Sequence, residues 1–300
     1  VYGSFTGYGE EGPDCNLPGY DFTAFWARGG MLGTMYQKDS EPVNLVPGIG
    51  DHTTGLFMAA GLMVALYNAQ KTGKGDKVSI NLFHSAVWVQ AIAVQAAQYT
   101  ELGAKYPTSR KVAENPFNNT YKCKDGRFIQ LSMPPFDLFY PKFMPLIGRE
   151  DLVGNPRYTI DSITENKLHA EFIEILDNAF AQKTSAEWSE ILVKADIPHY
   201  LAQTWEEVLE DKQAWAIGVF ENVKYLTGER AMVRQPITLE GSEKLRYDRG
   251  PFLGEHSEEI LRELGYTDEQ LAEMHAKNVY NTWDDLREKY GGNLEEENSY

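Results

Sequence analysis

The first hundred residues contain two kinds of hydrophobic pattern. Residues 1–5 and 77–81 are typical of short β-strands, whereas residues 51–70 and 84–102 are apolar segments of helical length. Gly73 follows the first of these segments and suits the left-handed cap that ends a helix. The order strand, helix, strand, helix predicts an α/β layer with a parallel sheet.

Between the first strand and the first long helix lie a loop and a shorter helical segment. Residues 7–21 (GYGEEGPDCNLPGYD) are dense in turn-forming residues and predict a loop. Residues 22–35 predict a helix that is broken at Gly29-Gly30. This part of the chain therefore leads from the strand into the long helix without a second strand.

The pattern changes after Gly103. Residues 121–132 (YKCKDGRFIQLS) predict a β-hairpin with its turn at Asp125-Gly126. Several later helices open with capping boxes, at Thr184 and Glu187, Thr204 and Glu207, and Thr267 and Gln270. We therefore expect a smaller α+β domain at residues 113–240 and a helical return segment after it.

Composition and charge narrow the classes of function. The 300 residues carry a formal net charge of −16, which repels the phosphate backbone of a nucleic acid. The most apolar segment, residues 55–66, is shorter than the ~20 residues that cross a membrane. The two cysteines, Cys15 and Cys123, form neither a metal-ligand spacing nor a disulfide framework. We expect a cytoplasmic protein with no metal and with neither a nucleic-acid nor a membrane partner.

Asp51 lies between a glycine-rich turn and the long apolar helix, and two interpretations of it stay open. An aspartate before a helix is a common N-terminal cap. Alternatively, Gly48 and Gly50 let the backbone approach a ligand, and the first helical turn supplies N–H groups that could hold an oxyanion. A carboxylate beside such donors can attack a carbonyl carbon. Such a carboxylate must stay partly open or hydrogen-bonded, because full burial raises a carboxyl pKa.

Seven segments, in order along nearly the whole chain, carry a family resemblance. They are GYGEEGP (7–13), PGYDFTAFWARGGMLG (18–33), GIGDHTTGLFMAAGLMVAL (48–66), KTGKGDKVSINLFHSA (71–86), NPFNNTYKCKDGRFIQL (115–131), ADIPHYLAQTWEEVLED (195–211) and LGEHSEEILRELGY (253–266). In these segments the chain resembles the class III CoA transferases, the family of formyl-CoA transferase, carnitine CoA-transferase and α-methylacyl-CoA racemase. The likeness is greatest to the branch that handles aromatic or branched 2-hydroxy acids, which includes cinnamoyl-CoA:phenyllactate and 2-hydroxyisocaproate CoA-transferases.

The resemblance implies a domain plan and an assembly. Residues 1–105 would be the remainder of a Rossmann-like large domain that binds CoA, with its N-terminal portion missing; the opening VYGSF also lacks an initiator methionine. Residues 113–240 would be the smaller α+β domain, and residues 241–300 a return to the large domain with an acidic tail. The family forms interlocked dimers, so a homodimer is expected.

The resemblance also implies a chemistry. Asp51 falls on the family's catalytic nucleophile, and coenzyme A enters as an acyl-CoA substrate, with small carboxylic acids as the other partners. CoA would pass between acids through an aspartyl anhydride and an aspartyl-CoA thioester, as in amino-acid fermentation. Gly19 and Tyr20 match a stretch that lies along the CoA chain. Asp21 matches an acidic position beside the active site, although its local sequence favours a cap for the helix from residue 22.

Three further positions are expected to support Asp51, and two alternative functions stay open. Gly48 and Gly50 flank the nucleophile, and His52 could tune it, although adjacent helical residues diverge. An acyl-CoA racemase is one alternative; racemases carry a histidine where this chain has Tyr20, and a phenol with an ordinary pKa near 10 is a poor proton shuttle. An inactive CoA-binding scaffold is the other. The glycine run that closes formyl-CoA transferase has no counterpart here, so residues 133–140 are either a substitute shield or hydrophobic core.

Overall fold

The computed structural model describes residues 1–99, 105–225, 228–241 and 247–287. The chain divides into two compact units, Val1–Ala202 and Gln203–Tyr300. The domain limits that we expect from the sequence, between 105 and 113 and at 240, stay a prediction.

The first unit begins with two parallel strands joined through a long helix. Strand β1 (Tyr2–Thr6) pairs with β2 (Lys77–Asn81) in an unbroken parallel register. Helix α1 (Ile49–Thr72) lies between them in the chain and packs on β2. It ends at Gly73, whose φ of 72° is left-handed and whose N–H donates to the carbonyl of Ala69. The predicted parallel sheet and glycine cap are both confirmed.

A π-helix, Asp21–Ala27, precedes α1 and packs against it. It ends before Gly29-Gly30, as the sequence predicts. Its buried apolar residues, together with three others, form a small hydrophobic core whose members are Ala24, Phe25, Trp26, Met31, Leu82 and Ala86. This core fixes the π-helix against its neighbours.

Residues 82–96 form two helices rather than one. Helix α2 (Leu82–Val89) and helix α3 (Ala91–Ala96) are separated at Gln90. The single helix expected from residue 84 is therefore wrong on this stretch, and its expected end at residue 102 lies outside the described residues. The side-chain amide of Gln90 donates to the carbonyl of Gly29. These two residues are far apart in the sequence, so the hydrophobic periodicity of the segment does not reveal the contact.

The remainder of the first unit is a three-stranded antiparallel sheet with helices. The strand order is β3 (Thr120–Lys122), β4 (Phe128–Leu131) and β5 (His199–Leu201). The hairpin turn predicted at Asp125-Gly126 is confirmed, with Gly126 at a φ of 83°. Four helices follow the hairpin in the chain: α4 (Phe136–Leu146), α5 (Ile160–Glu165), α6 (His169–Phe180) and α7 (Ser185–Lys194).

Aromatic side chains fill the core between this sheet and its helices. Phe172 of α6 is fully buried at the centre. Its ring centroid lies 5.6 to 6.1 Å from four others, those of Phe117, Phe136, Tyr140 and Tyr158. Of residues 133–140, Met133, Phe136 and Tyr140 are buried in this core, whereas Leu138 is exposed.

In its described residues the second unit contains short helices and one strand pair. Its elements in chain order are α8 (Trp205–Glu210), α9 (Lys212–Ala216), β6 (Phe220–Tyr225), β7 (Gly228–Val233), α10 (Ser257–Glu263), α11 (Asp268–Ala276) and α12 (Trp283–Leu286). Strands β6 and β7 are antiparallel. The three predicted capping boxes, at Thr184, Thr204 and Thr267, are confirmed. The acidic tail, residues 293–300, lies outside the described residues.

Candidate active site

Asp51 lies in the first turn of α1 and not in front of it. The N-cap is Gly48, whose φ of 87° is left-handed, and Asp51 is the third residue of the helix. The interpretation of Asp51 as the helix cap is therefore wrong, because α1 begins two residues earlier than the sequence predicts. The side chain of Asp51 is exposed. Exposure leaves this carboxylate open to a substrate.

The side chain that caps α1 belongs to Asp21. Its Oδ2 accepts the N–H of Gly48 and its Oδ1 accepts the N–H of Asp51, each at 3.1 Å. The residue is only 6% exposed. The expectation that Asp21 caps its own helix is wrong, because Tyr20 occupies that N-cap position and the carboxylate binds α1 instead. Two otherwise unpaired N–H groups at the start of α1 are thereby satisfied.

Gly50 permits the close approach of Asp21 to α1. A Cβ at this position would lie 2.4 Å from Oδ1 of Asp21 and 2.4 Å from Cγ of Phe25. Both distances are far below van der Waals contact, and Phe25 belongs to the small core. Any side chain at position 50 would separate α1 from the π-helix. The two glycines near the nucleophile thus have different structural roles: Gly48 adopts the left-handed conformation, and Gly50 makes room.

Gly19 and Tyr20 lie at the entrance to the π-helix, directly before Asp21. Tyr20 is 71% exposed, and its backbone N–H donates to Oγ1 of Thr23 at 3.0 Å. A Cβ on Gly19 would lie 2.7 Å from Cα of Gly7, so Gly19 lets two loop segments touch. The structure places Tyr20 next to the residue that binds the backbone of Asp51. A contact of Gly19 or Tyr20 with CoA stays a prediction.

The polar residues that follow Asp51 in α1 are His52, Thr53 and Thr54. His52 is exposed. The hydroxyl of Thr53 donates to the carbonyl of Ile49 at 2.7 Å. The hydroxyl of Thr54 is buried and has no hydrogen-bond partner among the described residues. A role of His52 in tuning the nucleophile stays a prediction.

Two backbone N–H groups of the first turn have no acceptor in the described part of the chain, and one of them belongs to the buried residue Gly50. Asp21 accepts those of Gly48 and Asp51, whereas those of Ile49 and Gly50 have no acceptor within residues 1–99. The N-terminal end of a helix carries partial positive charge, which stabilises a nearby anion by ~0.3–1 kcal/mol. The first turn can therefore polarise a group next to Asp51, but with fewer donors than an uncapped helix would offer.

Asp51 lies on an open surface. Two cavities, of about 420 and 560 Å³, are lined by residues between 34 and 119 and between 189 and 201 respectively, and Asp51 lines neither. Met133, Phe136 and Tyr140 do not cover it, because their side chains are buried in the separate aromatic core. Within the described ranges, no three His, Cys, Asp or Glu side chains are grouped so that they could hold a metal.

Asp51 lies in the first turn of a helix that joins two parallel strands, and its carboxylate is exposed. The chain belongs to CoA-transferase family III, whose family model matches residues 1–257. It is thus an enzyme of the class that the sequence motifs indicate, and that part of the resemblance is confirmed.

Individual relatives agree with this assignment. The cinnamoyl-CoA:phenyllactate CoA-transferase of Clostridium sporogenes is 48% identical over 276 residues, which cover 91% of this chain and 67% of the relative. The (R)-2-hydroxy-4-methylpentanoate CoA-transferase of Clostridioides difficile is 37% identical over 274 residues, which cover 90% of this chain and 67% of the relative. The human α-methylacyl-CoA racemase is 26% identical over 285 residues, with 93% and 71% covered.

Solved structures show the same fold. A CaiB/BaiF family protein from Brucella suis has a TM-score of 0.72 at 25% identity, over 88% of this chain and 68% of that protein. Rv3272 from Mycobacterium tuberculosis has a TM-score of 0.71 at 25% identity, over 86% of this chain and 68% of that protein. The mixed α and β architecture expected from the sequence is therefore that of the family.

Proposed function

We propose that this chain transfers CoA between an acyl-CoA and a free carboxylic acid, with Asp51 as the nucleophile. The observation that carries the proposal is the 48% identity, over 91% of the chain, to an enzyme named for CoA transfer. The exposed carboxylate of Asp51 in the first turn of α1 supports it.

The proposed reaction keeps the thioester energy by passing the acyl group through Asp51. The carboxylate attacks the thioester carbonyl, the C–S bond breaks, and a mixed anhydride forms as CoA thiolate leaves. The thiolate then attacks the aspartyl carbonyl, which releases the first acid as its carboxylate and leaves an aspartyl-CoA thioester. The second acid attacks the carbonyl of this thioester, the C–S bond breaks, and a new anhydride forms as CoA thiolate leaves again. CoA thiolate finally attacks the new acyl carbonyl and frees Asp51, so no ATP is consumed.

The acids are proposed to be aromatic or branched 2-hydroxy acids or the corresponding 2-enoates. Two relatives, at 48% and 37% identity, are named for substrates of that chemistry, phenyllactate with cinnamoyl-CoA and 2-hydroxy-4-methylpentanoate. A cytoplasmic role in amino-acid fermentation would follow from such a substrate pair.

An acyl-CoA racemase is the second candidate, since the human racemase is also a relative. Its identity of 26% is well below the 48% of the cinnamoyl-CoA:phenyllactate transferase. Tyr20 at the position of the racemase histidine also favours transfer. A scaffold without activity is the third candidate.

A single exchange assay in D₂O tests these candidates. The intact protein is mixed with cinnamoyl-CoA and phenyllactate, and both acyl-CoA species are followed by mass spectrometry. We expect phenyllactyl-CoA to form without deuterium at its α-carbon. Phenyllactyl-CoA, whose α-carbon carries an exchangeable C–H, is also supplied alone in D₂O, and deuterium at that carbon in a protein that does not transfer CoA would support the racemase. The absence of both, in a folded protein that binds CoA, would support the scaffold.

We further propose that two copies of the chain associate through one side of α1. Leu56, Met63, Val64 and Tyr67 lie along this side and are 55% to 70% exposed. Exposed apolar surface of this extent is typical of interfaces. By length and composition alone α1 would also pass as a membrane span, but it packs on β2 and α2, as a helix does in an α/β layer. The dimer that the family resemblance implies gives this surface a partner.

Substituting Val64→Asp tests the proposed dimer. A charge at the interface must be desolvated, so we expect self-association to weaken by at least ~10-fold in sedimentation experiments. Asn178→Asp is the matched control, because it adds the same charge to an exposed position of α6 and not to this side of α1. A wild-type protein that sediments as a monomer, or a Val64→Asp protein that associates like wild type, would contradict the interface.

A further inference from the structure

Asp21 joins the start of the π-helix to the first turn of α1. Its two oxygens hold N–H groups at both ends of that turn, Gly48 at the N-cap and Asp51 within the helix. We propose that Asp21 is a positioning residue for the transfer reaction, which fixes the backbone of Asp51 so that its carboxylate meets the thioester at the correct angle. This inference rests on the proposed function of Asp51.

Burial makes the two hydrogen bonds of Asp21 strong restraints. At 6% exposure the carboxylate has lost nearly all contact with water, so its bonds to Gly48 and Asp51 replace hydration. Hydrogen bonds to a charged acceptor are roughly twice as strong as neutral ones. Water competes poorly at such a site, and the turn is therefore held in one arrangement.

The π-helix that carries Asp21 is itself packed firmly in place. Asp21 opens the π-helix, and the residues after it, Ala24 and Phe25, are buried in the small core. Gly50 lies against both Asp21 and Phe25, with no space for a Cβ. The nucleophile is thus connected through its own N–H group to a packed element, although its side chain is exposed.

A connection of this kind matters for the rate more than for substrate binding. Attack on a thioester needs the carboxylate oxygen within ~3–3.5 Å of the carbonyl carbon, and a displacement of ~1 Å can cost ~10²-fold in rate. Asp21 acts through the backbone and does not touch the acyl-CoA in this scheme. Its loss should therefore lower kcat and leave KM nearly unchanged.

Asp21→Asn provides the main test. Asparagine keeps the size of the side chain and one acceptor oxygen, but its amide group cannot accept the second N–H. We expect kcat to fall ~100-fold with KM for cinnamoyl-CoA changed less than ~3-fold. The rate at which hydroxylamine traps an activated Asp51, measured by mass spectrometry, should fall by the same factor. Asp76→Asn is the control, because Asp76 is exposed and its carboxylate accepts the adjacent N–H of Lys77.

Gly50→Ala provides an independent test should the asparagine variant fold poorly. The added methyl group collides with Asp21 and Phe25, so the same loss in kcat is expected with Asp21 still present. Gly55→Ala is its matched control in the same helix, since a Cβ at position 55 meets no other atom within 4 Å.

The outcomes separate this inference from the proposed function. If wild-type protein forms no adduct at Asp51, the nucleophile itself is wrong. If wild type forms the adduct and folded Asp21→Asn forms it equally fast, the positioning role is wrong. An unchanged kcat with a raised KM in either variant would also overturn it, because that result assigns Asp21 to substrate binding. Gly50→Ala with wild-type kcat would count against it in the same way.

Discussion

Replacing Asp51 with asparagine is expected to reduce CoA transfer by about 10⁴-fold or more, to the level of the uncatalysed background. An amide cannot attack the thioester to give an anhydride, because it lacks the negative charge and cannot later leave as a carboxylate. The asparagine side chain would still fit the first turn of α1, since the side chain of Asp51 is exposed and does not serve as the cap. Thermal unfolding should therefore change little.

The measurement is the rate of CoA transfer from cinnamoyl-CoA to phenyllactate. It is combined with peptide mapping of the protein after treatment with borohydride. Borohydride reduces an aspartyl thioester to an alcohol, which marks residue 51 in the wild-type protein. Glu41→Gln is the control, since it neutralises another exposed carboxylate in the segment before α1. Turnover at a tenth of the wild-type rate or more in Asp51→Asn, or an adduct on a different residue, would contradict the mechanism.

Replacing Phe172 with alanine is expected to destabilise the protein by about 3–5 kcal/mol. The side chain is fully buried, and four aromatic rings surround it within 6.1 Å. Its removal takes away both the transfer free energy of the ring and the contacts of its neighbours, which the rigid rings cannot easily replace. Part of the chain population could then unfold at ordinary temperatures.

Urea denaturation followed by far-ultraviolet circular dichroism measures this loss. Phe128→Ala is the matched control, because Phe128 lies in the same part of the first unit but is 43% exposed. Its loss should cost less than ~1.5 kcal/mol, in proportion to the smaller apolar area removed from water. Equal effects of the two substitutions would show that the aromatic cluster does not provide the main packing energy here.

Local sequence patterns were sufficient for much of this fold. The cap at Gly73, the hairpin turn at Gly126 and the capping box at Thr184 are each determined by residues within one turn of each other. Such short-range chemistry is visible in a sequence because the hydrogen bonds close over three or four residues. The family was visible for a different reason, the order of seven separate segments.

The contacts around the candidate site could not be predicted in this way. Asp21 binds N–H groups 27 and 30 residues away, and Gln90 binds a carbonyl 61 residues away. The local sequence predicts that Asp21 caps its own helix, because such a cap needs no tertiary information. The local sequence does not show that Phe25 closes the space beside Gly50, for the same reason. The one local feature that points to close packing at the site is the pair of glycines, Gly48 and Gly50, just before the nucleophile.

The contact between the hairpin turn and the start of α7 should weaken in acid. The carboxylate of Asp125 accepts the N–H and the hydroxyl of Ser185, at the start of α7, at 3.0 and 2.8 Å. Although desolvation raises the pKa of Asp125, these bonds and the N–H of Arg127 outweigh it and hold the pKa below its usual value. The stabilising effect is complete above the ordinary pKa near 3.9 and disappears as the pH falls through the lower folded value. Protonation would therefore weaken the connection between the hairpin turn and the start of α7, and the amide hydrogen of Ser185 should exchange faster once Asp125 is protonated.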